Sequence, residues 1–306
     1  MPSPALQRIL DALEAGTRPR PAELAAFSDL DRGDASYLRE RWPRIPLAER
    51  EFLLDEAYEL ADEDIALDFT VLGRVGLTDA EPSVRLRAIQ ALWESLDPAV
   101  GDLLVGLVES EPDPEVRAAA ARSLLRYLEA AEYGRLDDAL ARRMTEALLT
   151  AAETGSEDLR AAAVEALGPS GDPRVPALIE SAYESGVPAL RLAAIRAMGY
   201  SARDRWAEYI AEQLTAADPE MRFEAALAAG SLGSEELVPA LGEALNDDDA
   251  EVLFAVIEAL GDIGGEAAVE LLEAYLEEAP PGLEDAVEAA LEAARGIQFR
   301  RFGEPL

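Results

Sequence analysis

The side chains that most often carry catalysis are missing: the chain has no His and no Cys, and all 27 of its basic residues are Arg. A thiol nucleophile, a Ser-His-Asp relay, an imidazole or thiolate metal site and a Schiff-base lysine each need a group that is absent. What remains is 62 carboxylates, and a mechanism using carboxylates alone survives the exclusion. The run Asn246-Asp247-Asp248-Asp249 comes nearest to a cation site. It lacks the alternating ligands and the Gly of a calcium loop, and it reads instead as a turn whose acids cap the next helix. No catalytic residue, cofactor or metal site is assigned, so the chemistry to look for is recognition.

Charge is the first recognition signal. The formal net charge is -35, and it is unevenly spread. Residues 1–45 balance seven Arg against seven acids, whereas residues 207–294 hold Arg222 alone against 23 acids. A surface of that sign repels phosphate backbones, so direct nucleic-acid binding is not expected, and attraction of a basic protein segment is. Solubility of an Ala-rich chain explains the same acids without a partner. One Asn and four Gln beside an all-Arg base set fit reduced thermolabile amides and fit GC-rich codons equally well. Residues 1–10 show no signal-peptide core, and no apolar run approaches the roughly 18 residues of a membrane span. A cytoplasmic protein that does not contact membranes is expected.

The elements that must position any such surface repeat. An apolar residue followed by a second marker residue recurs as Val84-Arg85, Val116-Arg117, Leu159-Arg160, Leu190-Arg191, Met221-Arg222, Val252-Leu253 and Leu283-Glu284, at steps of 32, 43 and then four times 31 residues. Turn signals such as Asp113-Pro114 and Asp218-Pro219 precede the anchors, and Ala-rich runs follow. Asp accepts from the free amides of a first helical turn and Pro is tolerated there, so each unit starts a helix. Two helical segments fit between successive anchors, as in Ser234–Asn246 and Ala250–Ile263, and no strand pattern competes. A helix pair that cannot bury its apolar face alone must stack on its neighbours. The expected fold is all-α, an α-α superhelix of about seven helix pairs. Residues 1–63 form an irregular helical cap, 64–295 the repeats and 296–306 a tail. The 43-residue step places a surplus around Tyr127–Arg143 that still reads as helix and is broken only at Gly134.

The phrases Asp113-Pro114-Glu115-Val116-Arg117 and Asp218-Pro219-Glu220-Met221-Arg222 resemble the HEAT-repeat family, in particular its short-repeat, phycobilisome-lyase-like class. The resemblance implies a right-handed HEAT-type solenoid whose second helices line a concave side, with the acid and Arg of the turns pairing between adjacent repeats. Val252 and Leu283 lack the Arg, so the implied pairing stops short of them. It also implies three enzyme-class comparisons. The di-iron deoxyhypusine hydroxylases of the family use His, which this chain lacks. HEAT-like DNA glycosylases use a cationic groove, opposite to the sign found here. Phycobilin-lyase-like attachment of a tetrapyrrole is the alternative function. Mimicry of DNA by the acidic face is a further, less favoured idea.

Advancing about 100° per residue from each anchor puts positions 4, 7 and 8 on the anchor's side, for example Val84, Ala88, Ala91 and Leu92. Position 6 points the opposite way and holds Gln90, Arg122, Glu165, Arg196, Leu227 and Glu258. Leu227 is the apolar exception, and position 2 beside it carries Leu192, Phe223 and Phe254 in successive repeats. Phe223, Leu227, Phe254 and Leu192, rimmed by Glu220, Glu224, Glu251, Glu258 and Asp262, are the candidate seat of a basic or amphipathic peptide, and Trp93 is a further candidate at position 9 of the first repeat. Packing of position 2 against the adjacent repeat is the competing reading. The tail, with Ile297, Phe299, Arg300, Arg301 and Phe302, is expected to dock on the last repeats. The leading expectation is a non-catalytic scaffold that binds a protein partner.

Overall fold

A computed structural model describes residues 2–64, 66–277, 279–280 and 282–302, with the side chains of 298–302 left aside. Among the described residues the secondary structure is helical throughout, with eighteen α-helices and short 3-10 turns. None is long and apolar enough to cross a membrane. The chain divides into two compact units, Met1–Leu159 and Arg160–Leu306.

Unit 1 contains α1 (Pro4–Glu14), α2 (Pro21–Leu24), α3 (Arg32–Arg41), α4 (Leu47–Glu63), α5 (Thr70–Gly76), α6 (Pro82–Ala91), α7 (Pro98–Ser110), α8 (Pro114–Glu132) and α9 (Asp138–Thr154). The starts follow local chemistry. Asp31, Asp97, Asp113 and Asp137 each accept from a first-turn amide, and Pro98 and Pro114 occupy first positions where no N–H is needed. α5 opens only at Thr70, where Asp68 accepts from Thr70 N. The surplus of the 43-residue step is absorbed as helix, in the 19 residues of α8 and the 17 of α9. Gly134, at φ +67°, makes the turn between them.

Helices pack in two layers: α4, α6 and α8 side by side in one, α3, α5, α7 and α9 in the other. α4 therefore stands where a repeat's second helix stands. Its Arg50 pairs with Asp79 in the turn before α6, as Arg85 of α6 pairs with Glu111 in the turn before α8. The residue ahead of Arg50 is Glu49, buried and held by Arg18 at 2.8 Å. An anchor rule that asks for an apolar residue before Arg passes over this helix. Asp79 also accepts from the indole of Trp42 at 2.5 Å, fixing the chain between α3 and α4.

α10 (Glu157–Ala166) carries the boundary between units. Unit 2 continues with α11 (Val175–Glu184), α12 (Pro188–Tyr200), α13 (Ala207–Gln213), α14 (Pro219–Leu232), α15 (Val238–Ala244), α16 (Ala250–Ile263), α17 (Glu266–Leu276) and α18 (Glu284–Phe302). The even-numbered helices α12, α14, α16 and α18 stack directly on one another, and each odd-numbered helix packs on the one that follows it. Glycine sets how closely the stack approaches. A Cβ on Gly199 would lie 2.8 Å from Cα of Ala228, on Gly230 3.1 Å from Cα of Ala259, and on Gly261 3.0 Å from Cα of Ala290. Gly168 meets Ala197 in the same way, at 2.9 Å from Cα. The four glycines are spaced by 31 residues, and so are the four alanines.

The expected core is the core. Val84, Ala88, Ala91 and Leu92, and Val252, Val256, Ala259 and Leu260, are all buried. Asp249 caps α16 by accepting from Glu251 N and Val252 N, and Asp247 accepts from Asp249 N, so the acidic run is a capping turn. The pairing of turn acids with Arg is real but discontinuous. Arg222 binds Asp247 through two bonds of 2.6 and 2.9 Å, whereas Arg117 and Arg191 spend their guanidinium on carbonyls of Val108 and Tyr183.

The backbone of α18 continues as helix through the first residues of the expected tail, to Phe302. Ile297 lies against Gly264, its Cβ 3.0 Å from where a Cβ there would stand. The side chains of Phe299, Arg300, Arg301 and Phe302, and residues Gly303–Leu306, on which the docking expectation also rests, lie outside the described residues.

Candidate functional site

The outward face of the α12–α14–α16 stack in unit 2 is built by helical spacing alone. Position 6 opens outward at Gln90, Arg122, Leu227 and Glu258, which are exposed, whereas Glu165 and Arg196 are half-buried. Leu227 is 39% exposed and Phe254 45%, while Phe223 and Leu192 are half-buried. Phe223 and Leu227 stand one turn apart on α14, and Phe254 occupies Phe223's place on α16, which packs against it. Position 2 is thus a margin: buried where it is Ala118 or Ala161, open where it is Phe254.

Around this patch Glu220, Glu251, Glu258 and Asp262 are exposed. Arg222, the single base on α14 and α16, is committed to Asp247, whose carboxyl it holds below the usual range by hydrogen bonding. Asp262 shows the opposite shift. The residue is exposed, but one carboxyl oxygen turns onto α14 at Gly230, 3.2 Å from the place a Cβ would take, and this desolvation raises its pKa. A raised carboxyl pKa means the folded state binds the proton more tightly than the unfolded chain, so stability grows as pH falls through the folded value and is lost above it. Asp262→Asn should therefore raise stability at pH 7 by less than about 0.5 kcal/mol. In thermal melts the gain should fade below the ordinary carboxyl value of 3.8; a loss at neutral pH would contradict the assignment.

Glu224 requires a correction. Expected on the rim, it is buried at 8% exposure and bound by Arg196 of α12 through two hydrogen bonds, one of 2.8 Å from Nε. Arg196 also reaches Glu165 at 3.5 Å. The reason is angular: position 3 lies about 300° from the anchor, only 60° short of the core direction, and the neighbouring repeats place Ala193 and Ala255 there, both buried. Glu224 is a positioning partner that ties α14 to α12, and its charge is already met. Sequence reasoning placed Arg196 outward without its partner; the signal lay in an Arg and a Glu 28 residues apart, three short of the repeat.

Trp93 belongs to unit 1 and is 42% exposed. Trp206 is fully buried, edge-on to Tyr209 at 5.5 Å, as core packing predicts. The lengthened helices of unit 1 border a hollow of about 700 Å³ against α7. Its three bases differ in commitment: Arg143 pairs with Asp102, Arg117 binds carbonyls, and Arg142 makes no ion pair among the described residues. No group of three metal-ligating side chains forms among the described residues.

Known proteins agree with this architecture. HEAT repeats match residues 74–146, 175–253 and 207–292, and the PBS lyase HEAT-like repeat matches residues 159–185. No curated protein matches the sequence. Among solved structures, human deoxyhypusine hydroxylase is similar over 95% of this chain and 96% of its own, at 21% identity and a TM-score of 0.39. The complex of CpcE and CpcF of phycocyanin lyase from Nostoc is similar over 74% of this chain and 94% of that one, at 18% identity and a TM-score of 0.50. Kap95p, solved with RanGDP, aligns over 94% of this chain and 45% of its own, at 13% identity and 0.48. At such identities the phycocyanin lyase likeness speaks for the fold alone. With stacked helix pairs in both units and repeats matched across most of its length, the chain belongs to the HEAT-repeat family.

Proposed function

We propose that the chain is a non-catalytic scaffold that binds a basic, amphipathic segment of a protein partner through the outward face of α12, α14 and α16. Phe223, Leu227, Phe254 and Leu192 take the apolar side of the segment, and Glu258, Glu220, Glu251 and Asp262 meet its basic side chains. The observation that carries this reading is the pair of exposed large apolar side chains, Leu227 and Phe254, on adjacent helices whose one base is already paired. An amphipathic helix laid in a groove presents apolar anchors at the spacing of one turn, which Phe223 and Leu227 complement. The tetrapyrrole alternative has only the shared fold in its favour and is not adopted.

A synthetic helix of Leu and Lys in heptad spacing tests the reading by calorimetric titration. The peptide should bind the intact chain, weaken steeply with added salt, and lose at least about tenfold in affinity to the triple variant Phe223→Ser, Leu227→Ser, Phe254→Ser. The variant should keep its circular dichroism and remain folded at the temperature of the titration, although the half-buried Phe223 makes its melting point fall. Equal affinity for the variant and the parent would overturn the proposal.

A further inference from the structure

Unit 1 carries an aromatic hollow whose residues are brought together by the repeat register. Arg50 and Arg85 each pair with the acid of the following turn, so Glu49-Arg50 in α4 corresponds to Val84-Arg85 in α6. Tyr58 and Trp93 then both stand nine residues after their anchors, Tyr58 on α4 and Trp93 in the turn just after α6, the helix that packs beside α4. Both are exposed, at 38% and 42%, and both line one hollow of about 490 Å³. Exposed Trp and Tyr in a shared concavity are the side chains that dominate recognition energetics.

The charge of the hollow is decided by which of its ions are already met. Arg87 is taken by Asp55 at 3.0 Å and by Glu51 at 3.6 Å. Glu59, also in the wall, makes no ion pair among the described residues. Two π faces and one unmet carboxylate favour a cation. The chain supplies its own precedent: the Arg126 guanidinium of α8 lies 5.5 Å from the Trp93 ring centre and is fixed there by a 2.7 Å bond to the Trp93 carbonyl.

We propose that this hollow binds an arginine side chain of a basic peptide, its guanidinium stacked between Tyr58 and Trp93 and donating to Glu59. The hollow of about 490 Å³ that both rings line leaves room for a flat group against them. A guanidinium is planar and weakly hydrated, so it stacks where a compact, strongly hydrated ammonium does not. The site shares no residue with the Phe223 and Phe254 patch, so the two readings stand or fall separately.

Fluorescence isolates the site, because Trp42 and Trp206 are buried, at 4% and 0%, and Trp93 is the tryptophan a ligand can reach. The full chain is titrated with a blocked Gly-Arg-Gly peptide and, in parallel, with its Gly-Lys-Gly counterpart. The expected result is a saturable change in emission, at least about fivefold tighter for the arginine peptide. Tyr58→Ala and Glu59→Gln should each weaken it about fivefold or more with unchanged circular dichroism, Tyr58→Phe should preserve it, and Phe254→Ala should leave it unaltered. Absence of a saturable change, equal binding of the two peptides, or full affinity in Tyr58→Ala and Glu59→Gln would each overturn the proposal.

Discussion

Gly199→Val is expected to cost the folded chain about 3 kcal/mol, seen as a lower urea midpoint with early loss of amide protection in α12 and α14. The contact is with backbone: a Cβ on Gly199 stands 2.8 Å from Cα of Ala228, and no rotamer change relieves it. The two helices would have to separate, and their neighbours in the stack would follow, because a repeat is held mainly by the repeats beside it. Gly106 in α7 is the opposite case. Nothing lies within 4 Å of its would-be Cβ, so Gly106→Ala should raise stability by roughly 0.5–1 kcal/mol through helix propensity. Two glycine substitutions of opposite sign, one near the end of α12 and one inside α7, separate packing from propensity. If Gly199→Val melts like the parent, the close approach of α12 and α14 is not a constraint on the fold.

Arg85→Leu is expected to cost about 3–5 kcal/mol, the cost of stripping one partner from a buried ion pair. Arg85 and Glu111 have side chains only 9% and 3% exposed, joined by bonds of 2.9 and 2.6 Å. The same guanidinium donates to the carbonyls of Asp79 and Ala80 at 2.7 and 3.0 Å. Its loss leaves a buried carboxylate and two carbonyl oxygens without donors. Removing the stranded charge as well, in Arg85→Leu with Glu111→Leu, should restore a large part of the loss, although Glu111 also accepts from Asp113 N and that bond goes with it. A double variant less stable than Arg85→Leu alone would contradict the view that the stranded carboxylate dominates. Urea titrations of the three proteins give the comparison directly.

Much of the fold was legible because it is periodic. Anchors at 31-residue steps located α12, α14 and α16, and Ala250–Ile263 is the helix that was read. α4 as a stacking helix was not found in the register, since Glu49 replaces the apolar anchor and is tolerated there by Arg18. The role of the glycines at 168, 199, 230 and 261 was not read from the anchors: three of them lie inside helices, and all four mark close approach. Their shared spacing was the available signal. Discontinuity of the Arg ladder was harder to see, because Arg117 and Arg222 follow nearly the same phrase. One binds carbonyls and the other an acid, according to what the next turn offers: Asp247 within reach of Arg222, and the end of α7 beside Arg117.

The outward face was legible as geometry and less so as electrostatics. An angular count put Leu227 and Glu258 outward correctly. The count alone did not separate Glu224, at position 3, from the rim, because a long side chain beside the core is buried or free according to whether a partner meets it. Arg196, one repeat earlier, met it. The acids left for a ligand are therefore fewer than the composition suggests, and Glu258 with Glu220, Glu251 and Asp262 carries that role in the proposed function.

Photo-cross-linking tests the central claim most directly. The Leu and Lys helix is prepared with a benzophenone side chain at one apolar position, irradiated on the full chain and mapped by mass spectrometry. The account predicts adducts on α14 and α16 around Phe223, Leu227 and Phe254, removed by excess unlabelled helix and by salt. Adducts that fall mainly on the odd-numbered helices α11, α13, α15 and α17, or that persist unchanged in the Phe223→Ser, Leu227→Ser, Phe254→Ser variant, would contradict it.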